Sequence, residues 1–198
     1  MFLETICIVN GKVQNEQAHA ERIQQTAAYH RFTAPPLPDL GKMIPKELTE
    51  GKVKCRIIYN NTIEEVTFAP YHPKVIASLR LVEAAPDYTF KYADRTVLLD
   101  LLKEKGDCDE ILITHNGLIT DTSYSNVVLS KGDCFYTPRT FLLNGTKRQQ
   151  LLLTGRISER DISADSLCDY DRIYLINAML DIEDEISLPI QSFQLKSL

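Results

Sequence analysis

The sequence predicts a mixed α+β protein with many short strands, few helices and two lobes. Two Asn-Gly pairs, at residues 10–11 and 116–117, each separate two short apolar segments, which is the strongest local signal of a β-hairpin. Helical periodicity is confined to a few short stretches, and a proline-marked change of character over residues 70–90 indicates a boundary. We therefore expect a small N-terminal lobe at residues 1–82 and a larger C-terminal lobe at 83–198.

The elements of the first lobe follow from local turn and helix signals. ETICIVNGKV predicts the first hairpin, and KVKCRIIYNNTIEEVTF predicts a strand, a turn at NNT and a second strand. Between them, HAERIQQTAAYHRF predicts a helix that the prolines of TAPPLPDLG end. Its expected buried stripe is Ala20, Ile23, Ala27 and His30.

The second lobe opens with a helix in ADRTVLLDLLKEKG, which Gly106 ends. EILITHNGLIT predicts the second hairpin, and SNVVLSKGDCFYTP predicts strand, turn and strand. NGTKRQQLLLTG predicts a loop followed by a helix that ends at Gly155, and RIYLINAML predicts a buried strand.

Composition excludes several classes of function. With 198 residues and a net charge of −5, the chain has no general attraction for nucleic acid or an anionic membrane. No apolar run approaches the roughly 20 residues of a membrane span, and the N-terminus lacks the pattern of a signal peptide. The five cysteines are scattered without a C-x-x-C pair, which argues against a zinc site and a disulfide framework. We expect a cytoplasmic protein without a metal.

Lys91, in the segment FKYADR, stands at the entry of a predicted helix. A lysine that is partly desolvated or lies near another cation has a lowered pKa, and its amine can then attack a carbonyl carbon. Arg95, four residues later, is a candidate for that cation. A solvated lysine at the start of a helix is the simpler interpretation of this segment alone.

Three other polar segments are candidates for binding. ITDTSYSNVVL places six polar residues, 121–126, between two apolar strands, as an ordinary turn also would. Asn144, Gly145 and Thr146 precede a helix, whose N-terminal N–H groups form either an anion site or a plain cap. In HAERI, His19 and Arg22 share one helix face, where a surface ion pair is the simpler interpretation.

Taken in chain order, these segments resemble the class IV aminotransferases, the fold-type IV pyridoxal-5′-phosphate enzymes. FLETICIVNGKVQNEQAHAERI is similar to the family opening, in which Phe-Glu-Thr leads through a hairpin to His-x-x-Arg, and KCRIIY to the strand that follows. KYADR is similar to the segment that carries the family lysine, and DEILITHNGLITDTSYSNVVL is similar to the hairpin and loop that end in Ser-Asn. YTPRTFLLNGTKRQQLLL is similar to the Gly-x-x-Arg segment, and INAML is similar to the end of a late strand. The resemblance implies a shortened N-terminal α/β lobe and a barrel-like C-terminal lobe.

The resemblance also implies a role for individual residues. Lys91 would form a Schiff base with pyridoxal 5′-phosphate and later transfer protons. Asp121 matches a glutamate that keeps the pyridine nitrogen of the cofactor protonated, so that the ring withdraws electrons. The other residues implied to hold the cofactor, mostly near its phosphate, are Arg22, Asn126, Gly145, Thr146, Lys147, Asn177 and Ala178.

Three departures from the family pattern bear on these roles. Asp121 is one methylene shorter than the usual glutamate, and Thr122 replaces the glycine that normally follows it. The phosphate segment reads Gly-Thr-Lys-Arg in place of Gly-(Ile/Val)-Thr-Arg. The first lobe, which supplies much of the substrate pocket, is shorter than in typical members, so the resemblance defines the substrate least.

Within the family, Lys91-x-x-x-Arg95 together with INAML is most similar to 4-amino-4-deoxychorismate lyase, which releases pyruvate and the folate precursor p-aminobenzoate. The alternatives are a class IV aminotransferase of a branched-chain or D-amino acid, and a ligand-binding relative without catalysis. Arg56 and Tyr59 are candidates for substrate contact, because a guanidinium binds a carboxylate through two hydrogen bonds. Arg56 equally suits a strand surface. The resemblance implies a homodimer that acts on a small molecule.

Overall fold

The computed structural model describes residues 1–190, which form two compact units of mixed α+β structure. The first unit comprises Met1–His72 and Phe90–Asp94, and the second comprises Pro73–Thr89 and the chain from Arg95 onward. The predicted fold class is confirmed. The division differs from the predicted boundary after residue 82, because residues 79–83 pair with the second sheet and residues 90–94 return to the first.

The first sheet has four antiparallel strands in the order β2-β1-β3-β4. The strands are β1 Phe2–Val9, β2 Lys12–Val13, β3 Lys52–Tyr59 and β4 Ile63–Pro70. Asn10 and Gly11, with φ of 49° and 74°, form the predicted turn between β1 and β2. Two consecutive positive φ angles are what a two-residue type I′ hairpin needs, and Asn-Gly is the pair that adopts them most readily.

One face of the first sheet forms the core of this unit. Burial alternates strictly along β3, as expected for a strand with one covered face. Helix α2, Leu40–Met43, contributes Leu40 to this core. The buried side chains of the core are Ile6, Ile8, Leu40, Val53, Cys55 and Ile57.

Helix α1, Glu16–His30, buries a different stripe from the predicted one. Ile23 and Ala27 are buried as expected, but His30 is exposed. His19, Arg22 and Thr26 complete the buried face. The first two of these are polar side chains that pair with a carboxylate on β1, and hydrophobic periodicity cannot detect such a partner.

The second sheet has eight strands in the order β10-β9-β8-β7-β6-β5, with β11 on β8 and β12 on β11. Pairs β5–β6 and β9–β10 are parallel and the others are antiparallel. The strands are β5 Leu79–Glu83, β6 Glu110–His115, β7 Leu118–Thr122, β8 Asn126–Lys131, β9 Cys134–Pro138, β10 Ser158–Arg160, β11 Arg172–Ile176 and β12 Ser187–Pro189.

Two helices complete the second unit, α3 at Thr96–Leu102 and α4 at Thr146–Leu153. A short 3₁₀ turn separates α3 from Gly106, and Gly155 follows α4 with φ of 68°. That positive φ is the conformation in which glycine commonly ends a helix. None of the helices in residues 1–190 is long and apolar enough to cross a membrane.

Candidate active site

Lys91 lies at the centre of a tight turn, in which the Tyr92 N–H donates to the Phe90 carbonyl at 2.9 Å, and the residues after it pair with the beginning of β1. Tyr92 forms an isolated antiparallel bridge with Phe2. The Leu3 N–H donates to the Lys91 carbonyl at 2.8 Å, and the Ala93 N–H donates to the Met1 carbonyl at 3.1 Å. The backbone around the lysine is therefore fixed to the first sheet, although the segment Pro73–Thr89 that precedes it belongs to the second unit. The Lys91 side chain is only half-buried.

The two neighbours of Lys91 belong to an aromatic cluster, which comprises Phe2, Tyr29, His30, Phe90 and Tyr92. The ring centroid of His30 lies 4.7 Å from that of Phe90 and 6.2 Å from that of Tyr92. Both neighbours of Lys91 in sequence are therefore held in place by ring contacts.

Arg22 is held by a buried carboxylate that the sequence analysis missed. Glu4, with no exposed surface, accepts hydrogen bonds from Arg22 Nε at 2.7 Å and Nη2 at 2.5 Å, and it lies 2.6 Å from His19 Nδ1. Burial alone would raise the pKa of Glu4, but Arg22 and His19 outweigh it and lower that pKa to about 2. The pair His19 and Arg22 is thus buried, and its partner belongs to the Phe-Glu-Thr segment of β1.

Arg56 and Tyr59 occupy opposite faces of β3. Tyr59 is buried against Phe2 and Ile23, and burial raises the pKa of its hydroxyl to about 12. Arg56 is half-exposed on the other face, where its guanidinium lies 3.4 Å from Glu65 of β4. The two candidates for substrate contact therefore cannot act on one face of the sheet, and their roles stay predictions.

Asp121 is the buried carboxylate at the end of β7. Its Oδ2 accepts hydrogen bonds from the backbone N–H groups of Leu142 and Leu143 at 2.9 and 3.0 Å, and its Oδ1 accepts one from Asn126 Nδ2 at 2.7 Å. Burial raises its pKa to about 6, because desolvation outweighs these hydrogen bonds. A carboxylate has about four acceptor positions, so Oδ1 can accept one more hydrogen bond than the described residues supply.

Asn126 connects Asp121 to the loop before α4. Besides donating to Asp121, its Nδ2 donates to the Leu143 carbonyl at 2.8 Å. A Cβ atom at Gly145 would overlap with Asn126 Oδ1, so only glycine fits beside this side chain. Its place before a helix made Gly145 a candidate, whereas the structure shows that close packing against Asn126 requires a glycine there.

The N-terminus of α4 carries the segment that the resemblance assigns to the phosphate. Gly145 precedes the helix and has no side chain that could cap its first N–H groups, and Thr146 is buried. Lys147 Nζ lies 2.5 Å from Asp181 Oδ2, so its side chain is paired with a carboxylate of the same unit. What Lys147 offers to a ligand is its backbone N–H.

Arg148 and Arg95 both stabilise loops. Arg148 is almost completely buried, and it donates to the Asn144 side chain at 3.0 Å, the Pro138 carbonyl at 3.0 Å and Glu159 at 2.6 Å. Arg95 belongs to the second unit, where it donates to the Ser123 carbonyl at 2.7 Å.

Asn177 and Ala178 form a tight turn at the end of β11. The Asn177 side chain donates to Ser125 Oγ at 2.8 Å and accepts from the Met179 N–H at 2.8 Å. Ser125, which sequence analysis treated only as part of a polar segment, thus connects this turn to the loop that contains Asp121 and Asn126. No group of three or more acidic, histidine or cysteine residues in residues 1–190 is arranged to hold a metal ion.

The structure divides the predicted residues between the two units. Lys91, Arg22, Arg56 and Tyr59 belong to the first unit, on two faces of one sheet. The residues of the second unit lie at the ends of β7 and β11 and the start of α4, where hydrogen bonds join Asp121 to Asn126 and Asn177 to Ser125. They are Asp121, Asn126, Gly145, Thr146, Lys147, Asn177 and Ala178. Glu4, Ser125 and Asp181 were missed because each acts through a partner that is distant in sequence.

Comparison with known proteins identifies the family of this chain. The model of the amino-transferase class IV family matches residues 1–183. An uncharacterized protein of Haemophilus influenzae is 37% identical over 182 residues, which cover 90% of this chain and 97% of that protein.

Two solved structures have the same fold. The crystal structure of a "putative 4-amino-4-deoxychorismate lyase" from Haemophilus somnus 129PT is 35% identical, with a TM-score of 0.78 over 90% of this chain and 95% of that one. A hypothetical aminotransferase from Mycobacterium tuberculosis, in its PLP-bound form, is 19% identical, with a TM-score of 0.71 over 90% of this chain and 77% of that one. The second similarity concerns the fold alone. The match along 183 residues shows that this chain belongs to the class IV aminotransferase family.

Proposed function

We propose that this protein is a pyridoxal-phosphate enzyme that acts on an amino-carboxylate substrate, and specifically a 4-amino-4-deoxychorismate lyase. Family membership and the description of the Haemophilus somnus relative support the proposal. The observation that carries it is the fixed position of Lys91, whose backbone pairs with β1 and whose neighbours are packed in the aromatic cluster. A homodimer in the cytoplasm is part of the proposal.

The described residues fit the cofactor at two points. Asp121 Oδ1 has an acceptor position for a pyridine N–H. The positive charge of a protonated pyridine would favour the ionised form of Asp121, whereas burial favours the neutral form. The backbone N–H groups of Thr146 and Lys147 lie at the start of an eight-residue helix, where phosphate binds well. The resemblance to the family also assigns Arg22 to the phosphate, and Glu4 holds the guanidinium of Arg22 in place.

Each residue then has a defined task. When bound, the cofactor supplies an electron-withdrawing ring that stabilises negative charge on the carbon next to the substrate amine. Lys91 Nζ would hold the cofactor before substrate arrives, then remove the proton from that carbon and return a proton to the product. Asp121 would keep the ring nitrogen of the bound cofactor protonated. Asn126 and the loop amides of Leu142 and Leu143 hold the Asp121 carboxylate in place for this role.

Transamination of a branched-chain or D-amino acid is the second candidate function. It uses the same lysine and the same carboxylate, and the family includes enzymes of this kind. The two reactions differ in one requirement: a transaminase needs a 2-oxo acid as acceptor, whereas the lyase releases pyruvate without one. A ligand-binding protein without catalysis would keep the fold but have no need of Lys91.

The first experiment is an absorption spectrum of the purified protein with added pyridoxal phosphate, for the wild type, Lys91→Ala and Lys103→Ala. Lys103 is the matched control, because it is an exposed lysine paired with Asp100. We expect a visible band from the lysine-bound cofactor in the wild type and in Lys103→Ala, and its loss in Lys91→Ala.

Activity assays on the loaded wild type then distinguish the reactions. Pyruvate and p-aminobenzoate formed from 4-amino-4-deoxychorismate without added 2-oxo acid would support the lyase. Turnover only when a 2-oxo acid is present would refute the lyase and support an aminotransferase. Absence of the visible band from the wild type would overturn both and leave a binding protein.

A further inference from the structure

We infer that Arg148 is a positioning residue for Asp121, because its guanidinium holds the loop whose Leu142 and Leu143 amides bind that carboxylate. The loop comprises residues 139–145, between β9 and α4, and is here called the Asp121 loop. The inference rests on the proposed function, since it takes Asp121 as the partner of the cofactor nitrogen. All of the residues concerned belong to the second unit.

Arg148 connects the last residue of β9 to two positions in the Asp121 loop. Its Nη2 donates to the Pro138 carbonyl at 3.0 Å, and its Nη1 donates to Asn144 Oδ1 at 3.0 Å. The guanidinium carbon lies 4.5 Å from the ring centroid of Phe141. Residues 142 and 143, whose amides bind Asp121, thus lie between two residues that contact the same guanidinium.

The part of the loop that binds Asp121 is itself poorly covered. Its residues 141–144 are exposed or only partly buried, and Phe141 is 40% exposed. A segment with few buried contacts opens easily. The direction of its amides therefore depends on the few side chains that contact it. Asn126 holds the Leu143 carbonyl at 2.8 Å, and Arg148 contacts the segment at two positions.

The ion pair of Arg148 explains how one side chain can hold the loop. Arg148 is only 2% exposed, and a buried charge is costly unless it is paired. Glu159 of β10 supplies the partner, at 2.6 Å from Nη2. Because the guanidinium is rigid and planar, fixing Nη2 also fixes Nη1 and the face that lies on Phe141. A lysine, with a single ammonium group, cannot make these contacts together.

The loop in turn determines the ionisation of Asp121. Burial raises the pKa of Asp121 to about 6, whereas the loop amides, Asn126 and the charge of Arg148 lower it. If the amides turned away, Oδ2 would lose two donors and the pKa would rise further. A carboxyl group that is neutral over a wider pH range leaves a bound pyridine nitrogen less protonated, and the ring then withdraws electrons less strongly.

Carbon-13 NMR of the carboxyl groups in the cofactor-free protein tests this inference, with Asp121→Asn to assign the Asp121 signal. We expect the wild-type signal to titrate at about pH 6. In Arg148→Lys, which keeps the charge but loses the shared contacts, the pKa of Asp121 should rise by about 0.5–1. Asn144→Ala changes an exposed side chain and removes one contact, so the rise should be smaller.

Nitrogen-15 NMR of the protein loaded with labelled pyridoxal phosphate measures the consequence for the cofactor. We expect the ring-nitrogen signal to shift toward that of unprotonated pyridine in Arg148→Lys. Arg156→Gln is the matched control, because Arg156 has the same kinds of contact elsewhere in the second unit. It lies 2.7 Å from Glu183, and its guanidinium is 5.8 Å from the ring centroid of Phe135.

Several results would overturn the role of Arg148. An unchanged or lower pKa of Asp121 in Arg148→Lys would do so, as would an equal shift in Arg156→Gln. If Arg148→Lys does not fold, Asn144→Ala decides by the same criterion. A ring-nitrogen signal that stays constant while the pKa of Asp121 rises would overturn the role in the reaction. A wild type without the visible cofactor band would instead refute the proposed function, and the cofactor-free titration would still decide whether Arg148 positions Asp121.

Discussion

Replacing Glu4 by glutamine should destabilise the protein by about 3 kcal/mol at pH 7. Glutamine has the shape of glutamate without its charge, so the change resembles permanent protonation of a carboxyl that Arg22 and His19 keep ionised. The pKa of Glu4 falls from 4.5 to about 2 on folding. At about 1.4 kcal/mol for each pKa unit, the difference corresponds to about 3 kcal/mol. Breaking a buried ion pair typically costs about 3–5 kcal/mol, which agrees.

Urea denaturation of the cofactor-free wild type and Glu4→Gln at pH 7 and pH 3 measures this contribution. Because the pKa of Glu4 is lower in the folded state than in the unfolded state, its stabilisation is complete above pH 4.5 and is lost as the pH falls through about 2. The difference between the two proteins should therefore shrink to about 1.4 kcal/mol at pH 3. Glu183→Gln is the matched control, since Glu183 pairs with Arg156 at an exposed site and should lose less than about 1 kcal/mol.

Two results would refute this reasoning about Glu4. Equal losses in Glu4→Gln and Glu183→Gln would mean that burial of the Glu4 pair adds nothing to its strength. A loss in Glu4→Gln that is the same at pH 7 and pH 3 would mean that the ionised carboxylate is not its source.

The remaining predictions concern the second unit. Gly145→Ala should cost about 1–3 kcal/mol by urea denaturation, because the new Cβ overlaps with Asn126, whereas Gly41→Ala has an ordinary contact at 3.4 Å and should cost nothing. Equal stability of the two variants would contradict this. The pKa of Asp121 rises on folding from 3.8 to about 6, so the cofactor-free wild type should lose about 2 kcal/mol relative to Asp121→Asn between pH 4 and pH 7. A difference that stays constant with pH would exclude a raised pKa.

Local chemistry made several elements predictable. The two Asn-Gly turns are confirmed, with positive φ at Asn10, Gly11, Asn116 and Gly117, because these turns depend on residues adjacent in sequence. The helix that Gly155 ends is confirmed for the same reason. The lobe boundary was harder to place, because residues 90–94 pair with the start of β1, and nothing in FKYADR itself indicates that partner.

Side-chain alternation in a strand would have improved one prediction. Arg56 and Tyr59 are three residues apart on β3, so a period of two already places them on opposite faces. Only the register with β1 and β4 shows that Arg56 lies between Thr5 and Thr67.

The sequence by itself determined the hairpins, the main helices, the α+β class and the family, because turn chemistry, periodicity and the order of motifs are local properties of the chain. Tertiary structure alone decided which partners hold the candidate residues. Glu4 reaches Arg22 across 18 residues, and Asp121 accepts from loop amides more than 20 residues away. Burial gives these contacts their strength and shifts the pKa values in opposite directions, since Glu4 has cations beside it whereas desolvation dominates at Asp121.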